Sequence, residues 1–89
     1  MAVKALSSSQ IRAARALLRW SAGDLARESS LGLNTIKRAE LAEDKTSLTM
    51  ANDLAVRRAF EAAGVEFIDE NGGRPGVRLR KTHQRGKLQ

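Results

Sequence analysis

No cysteine occurs anywhere in the chain, so disulfides and thiolate metal sites are excluded. The single histidine, His83, stands in a polar stretch with no second imidazole to share a metal. Tyrosine is absent, and aromatics are only 3% of residues: Trp20, Phe60 and Phe67. No apolar run approaches the roughly 20 residues of a membrane span. The opening Met1 to Leu6 is too short for a secretory h-region. A cytoplasmic protein without a membrane partner is the expectation. No two carboxylates are placed for acid–base chemistry; Glu28, Glu43 and Glu61 read as scattered surface acids. An enzyme is not expected, and neither is a cofactor or a metal.

What the chain does have is alanine, leucine and basic charge. Its 89 residues make one domain, 42% hydrophobic, and the Ala/Leu bias favours helices over a sandwich or barrel. The net charge is +6, unevenly distributed. Residues 1–73 hold ten Lys/Arg against ten Asp/Glu, whereas 74–89 hold six Lys/Arg and no acid. A balanced body with a basic extension suits a polyanion, or it simply keeps the chain in solution.

The rest is organised around residues 21–40. Ser21 and Asp24 form a Ser-x-x-Asp capping box, with Trp20 and Leu25 placed as a hydrophobic staple. A short helix over 22–29 turns Leu25 and Ala26 inward; Ser29-Ser30 break its period. Leu31, Gly32 and Ile36 repeat the arrangement for a second helix over 33–42, although glycine caps without a side-chain acceptor. Ile36 faces the core there, with Ala39 and Leu41 beside it. Two short helices joined by a tight turn make a helix-turn-helix, whose second helix enters the DNA major groove. Leu33, Asn34, Lys37 and Arg38 lie along its exposed side. Asn can pair bidentately with adenine, and Lys or Arg can reach guanine or phosphate. Leu33 has two readings, contact with a thymine methyl or packing, of which packing is preferred.

Flanking elements follow the same rules. Ser7 and Gln10 form a second capping box, with Leu6 and Ile11 as its staple. The helix runs to about Arg19, with Ile11, Ala14, Leu17 and Leu18 as the buried stripe. Arg12, Arg15 and Arg19 share its opposite face, which is either solvated or meets phosphates. After the polar loop 43–47, Thr49 caps a helix over 50–63. Met50, Leu54, Ala55, Ala59 and Ala62 line one side of it; Val56, Phe60 and Ala63 widen the surface. Gly64 ends it. Alternation then begins. Residues 65–70 and 77–80 read as strands of a β-hairpin around the turn chemistry of 71–76. Val65, Phe67, Val77 and Leu79 share its inner face, and Ile68 falls outside. A lone hairpin is marginal in water, so it must lie on the helices or meet a second copy. The expected organisation is a helix-turn-helix domain over 1–64, a dimerisation hairpin over 65–80 and a flexible basic tail over 81–89.

Leu25-Ala26, Leu31, Thr35-Ile36, Arg38 and Glu40 together resemble the Xre/Cro/C1 helix-turn-helix family of bacterial and phage regulators. The likeness covers about residues 7–64. Residues 62–73, with Gly-Val-Arg-Leu-Arg after them, look like the ending of short bacterial proteins of that type. The resemblance implies a mainly α fold: a four-helix lambda-repressor-like domain followed by a C-terminal β-hairpin. It implies a transcriptional regulator, usually a repressor and a dimer. The family's base-reading positions fall on Leu33, Asn34 and Lys37, and its phosphate-positioning residues near Gly32, Thr35 and Arg38. The chain departs from the pattern at Ala22, often Gln, and at Gly32, often Ser. It also carries Ala39 as the apolar residue before the Glu, and Leu41-Ala42 in place of the usual Arg-Gly.

The expected function is therefore sequence-specific binding of double-stranded DNA by a homodimer, with half-sites roughly 34–36 Å apart. Arg19 and Arg27 join the phosphate contacts. Arg78, Arg80, Lys81, Arg85 and Lys87 add salt-dependent affinity. Val65, Phe67, Ile68, Val77 and Leu79 build the dimer. Alternatives of the same fold are an antitoxin with a toxin as protein partner, or an excision or regulatory factor of a mobile element. A different class is an interaction module that has lost DNA binding, favoured by Ala22, Gly32 and Leu33.

Overall fold

Four helices and a two-stranded antiparallel hairpin make up residues 5–42, 48–68 and 75–80, the residues that the computed structural model describes. In chain order these are α1 (Ser8–Leu18), α2 (Ala22–Ser29), α3 (Leu33–Leu41), α4 (Met50–Ala62), β1 (Val65–Ile68) and β2 (Gly76–Leu79). The mainly α architecture ending in a hairpin matches the sequence-based expectation. The polar loop 43–47, the turn 69–74 and the tail with Lys81, Arg85 and Lys87 lie outside the described residues.

Local signals start and stop the helices. At α1, Ser7 Oγ accepts from Gln10 N at 3.0 Å, and Gln10 Oε1 accepts from Ser7 N at 3.0 Å. The same reciprocal box opens α2, between Ser21 and Asp24, at 3.0 and 2.8 Å. Thr49 Oγ1 caps α4 through Asn52 N at 3.1 Å. The N-terminus of α3 at Gly32 has no side-chain cap, as its sequence implies. Both α1 and α2 end by turning one residue left-handed, Arg19 at φ 58° and Ser30 at φ 61°. Amides beyond them reach back to earlier carbonyls, Trp20 N to Arg15 O at 2.9 Å and Leu31 N to Ala26 O at 3.0 Å. This six-to-one closure satisfies carbonyls that the helix end leaves open. Past α4, Gly64 sits at φ 101°, a conformation that costs any other residue strain.

One core serves helices and hairpin alike. Leu6, Ile11, Ala14, Leu25, Ala26, Ile36, Ala39, Val56, Phe60 and Val65 are buried in it. The chain's few aromatics all meet there. Trp20 stacks on Phe60 at 5.6 Å between ring centroids, and Phe67 meets Phe60 edge-on at 5.8 Å. Each such pair adds about 0.5–1.5 kcal/mol beyond area burial. The guanidinium of Arg57 lies 5.3 Å over the Phe67 ring.

The expected apolar stripes need three corrections. In α1, Leu17 is 39% exposed, and Ile11, Ala14 and partly Leu18 carry the contact. In α3, Leu41 is 82% exposed, because Ile36 and Ala39 already close that face. In α4 the inward side is rotated: Val56 and Phe60 are fully buried, Met50 is 81% exposed, and Ala62 and Ala63 face out. Asp53 lies on the same inward side. This carboxylate is buried and accepts from Leu6 N at 3.0 Å, tying the segment before α1 to the first turns of α4. Ser8 Oγ, two residues on, donates to Ala42 O at 2.6 Å, so the same segment also holds the end of α3.

In the hairpin, Val65 pairs with Leu79, Glu66 with Arg78, Phe67 with Val77 and Ile68 with Gly76. Val65, Phe67 and Val77 turn toward the core, as the alternation requires. Leu79 shares their face yet is 48% exposed, at the end of β2. Ile68 falls on the outer side, 41% exposed.

Candidate nucleic-acid interface

The α2–turn–α3 unit is assembled as its sequence demands. Leu25 and Ala26 seat α2, Ile36 and Ala39 seat α3, and α3 packs against both α2 and α1. Left-handed Ser30 and the half-buried Leu31 set the turn between them. With Ile36 and Ala39 inward, the remaining sides of α3 carry Leu33, Asn34, Lys37 and Arg38 to solvent. Thr35 is half-buried, and Gly32 is exposed at the uncapped start.

One contact outside the sequence-based expectation ties this helix to α1. Arg15 of α1 grips Glu40 of α3 with two parallel bonds, Nε to Oε2 at 2.6 Å and Nη2 to Oε1 at 2.8 Å. Its remaining nitrogen donates to Trp20 O at 2.8 Å. The two side chains are 24% and 11% exposed. Glu40 holds the Arg15 guanidinium above its ordinary pKa, chiefly by hydrogen bonding, against the opposing effect of partial burial. Arg15 is thus an internal strut and does not join Arg12 and Arg19 on a common outer face. The partners are 25 residues apart, so no local pattern announces the pair.

The strut has an electrostatic consequence. Glu40 is the sole carboxylate of α3, and Arg15 engages both of its oxygens. The outward side of α3 therefore presents two cations, Lys37 and Arg38, with no free acid on the same helix. Arg19 is exposed at the end of α1. Arg27 is exposed too, but it bonds Asp24 Oδ1 at 2.9 Å one turn back. The Ser21 amide, followed by Arg27, draws the Asp24 carboxyl below its ordinary pKa. At 69% exposure Arg27 is only weakly held by this pair.

The basic residues of the C-terminal part are partly committed. Arg78 Nε bonds Glu66 Oε1 at 2.6 Å across the hairpin, lowering the Glu66 pKa and raising its own. Arg80 donates to Glu61 O at 2.7 Å and, through its amide, to Gly64 O at 2.8 Å. It closes the end of α4 as well as contributing charge. For the residues expected at a dimer interface, Val65, Phe67 and Val77 are used inside the subunit because the core reaches them first. Ile68 and Leu79 remain exposed.

Among the described residues no helix is long and apolar enough to cross a membrane, and no group of three metal-ligating side chains occurs. Comparison of the chain with protein-family models and with curated proteins finds no match.

Proposed function

We propose that this chain binds double-stranded DNA sequence-specifically through α3, and that it acts as a transcriptional regulator. Occluding a promoter as a homodimer on a two-fold operator would make it a repressor. One observation carries the reading: α3 is seated by Ile36, Ala39 and the Arg15–Glu40 strut, and its outward side offers Asn34, Lys37 and Arg38 with no free carboxylate on the helix. A helix displayed in this way suits the width of the major groove, where amide and cationic side chains distinguish bases. Asn34 and Lys37 are assigned to base edges. Arg38, Thr35 and the Gly32 amide, with Arg19 and Arg27, are assigned to phosphates. The absence of side-chain donors at Ala22 and Gly32 shifts affinity onto these arginines and the basic tail.

Selection of bound sites from a random duplex pool, followed by salt titration on selected and mixed duplexes, tests the proposal. A two-fold motif, bound far more tightly than mixed sequence, is expected. Failure to bind any duplex at low salt would sink it. That result would favour a protein-interaction role, for which the strong exposure of Leu41 and Met50 is the supporting feature.

A further inference from the structure

We propose that the outward side of α4 is covered by the same side of a second copy of the chain; this rests on the homodimer part of the reading above and not on DNA binding. Met50, Ala51, Leu54, Arg58, Glu61 and Ala62 recur at helical spacing on one side of α4, away from the buried Asp53, Val56 and Phe60. All six are exposed except Leu54, which is half-buried. A helix side turned to solvent ordinarily carries polar groups, whereas here Arg58 and Glu61 alone are charged. β1 packs beside this helix, with the Arg57 guanidinium 5.3 Å over the Phe67 ring, so the exposed Ile68 borders the same surface.

Charge selects the occupant. Arg58 and Glu61 have opposite signs, stand three positions apart on the helix, and take part in no ion pair among the described residues. Arg80 meets Glu61 at its backbone oxygen. A two-fold axis that crosses two antiparallel copies of α4 between these positions sets Arg58 of each against Glu61 of the other. The patch is therefore complementary to itself, as a two-fold interface requires. Ala62 lies beside that axis, where a single methyl lets the helices approach closely. Area points the same way. The four-residue strands of the hairpin are about 13 Å long, too small by themselves for the ~800 Å² that each partner of a stable dimer gives up. The neighbouring α4 adds a side about 20 Å long.

The test is equilibrium sedimentation of the full chain at low salt, as wild type, Arg58→Glu and Glu61→Arg. Both positions are exposed, so circular dichroism of each variant should match wild type. Arg58→Glu leaves this side with acids only, Glu61→Arg leaves it with bases only, and each reversal acts twice across the axis. The expected result is a homodimer weakened about ten-fold in each variant. An equimolar mixture of the two variants should regain wild-type affinity, because the acidic side then meets the basic one. Variants that dimerise like wild type overturn the α4 interface and leave a homodimer built elsewhere. So does a weakening that the mixture does not repair. A wild type that stays monomeric overturns the homodimer reading as well, while DNA binding is judged separately by site selection.

Discussion

Removing one partner of the Arg15–Glu40 strut should destabilise the fold more than removing both. Glu40→Ala deletes two charge-assisted bonds of 2.6 and 2.8 Å and leaves a guanidinium that is only 24% exposed. Breaking a fully buried pair costs about 3–5 kcal/mol, most of it from the charge left without a partner. Arg15 retains some hydration and its bond to Trp20 O, which trims the loss to about 2–3 kcal/mol. In a domain of this size that lowers Tm by roughly 10–20 °C. Replacing both residues by Met removes the stranded charge and fills similar volume. The double variant should therefore be less destabilised than Glu40→Ala, with a coupling of about 1 kcal/mol or more. Urea titrations of wild type, Arg15→Met, Glu40→Met and the double Met variant, with unchanged m values, measure it. A Glu40→Ala variant within about 0.5 kcal/mol of wild type would refute the strut. Equal losses in single and double variants would do the same.

Other expectations are simpler to state. Asn34→Ala should change base preference, while Arg38→Ala should weaken selected and random duplexes alike; equal loss on both duplexes for Asn34→Ala argues against its assignment. Ser30→Gly should raise stability by about 0.5–1 kcal/mol in urea, because a left-handed residue costs less without a Cβ; no gain would mean the turn is unstrained. Ile68→Lys leaves the core untouched and should reduce self-association in equilibrium sedimentation; an unchanged mass would remove the hairpin's outer face from the dimer. The pKa values of Asp24 and Glu66 are lowered on folding, so the stability they contribute is complete above the ordinary carboxylate range and fades as pH falls through their folded values. An acid titration should show this loss below about pH 4, reduced in a chain carrying both Asp24→Asn and Glu66→Gln.

The legible parts of the fold are those written within four residues of one another. Both capping boxes, the break at Ser29-Ser30, the glycine after α4 and the strand alternation all depend on near neighbours. The phase of α4 was not legible. In an Ala-rich helix Met50 and Leu54 make as good a stripe as Val56 and Phe60, and the rings that pack on Phe60 come from outside the helix, Trp20 being 40 positions earlier. Arg15 reads as one of three surface arginines until Glu40 is brought to it. In the candidate interface, Asn34, Lys37 and Arg38 were visible as polar residues off the core phase. The exposure of Leu33 was not, because apolar character at a helix start is ambiguous until the packing is known.

Gln10 joins the two ends of the described chain through one amide group. Its oxygen accepts from Ser7 N, as a capping box requires, and its nitrogen donates to Gly76 O at 3.2 Å and Ile68 O at 3.5 Å. Glutamate serves equally well in most such boxes. Here it would keep the acceptor, lose the donor and set a charge against two carbonyl oxygens. The first turn of α1 and the mouth of the hairpin therefore tighten or fray together, although 66 residues of chain separate Gln10 from Gly76. Amide exchange at Gln10 and Ile11 should consequently report on how firmly the C-terminal strands are docked.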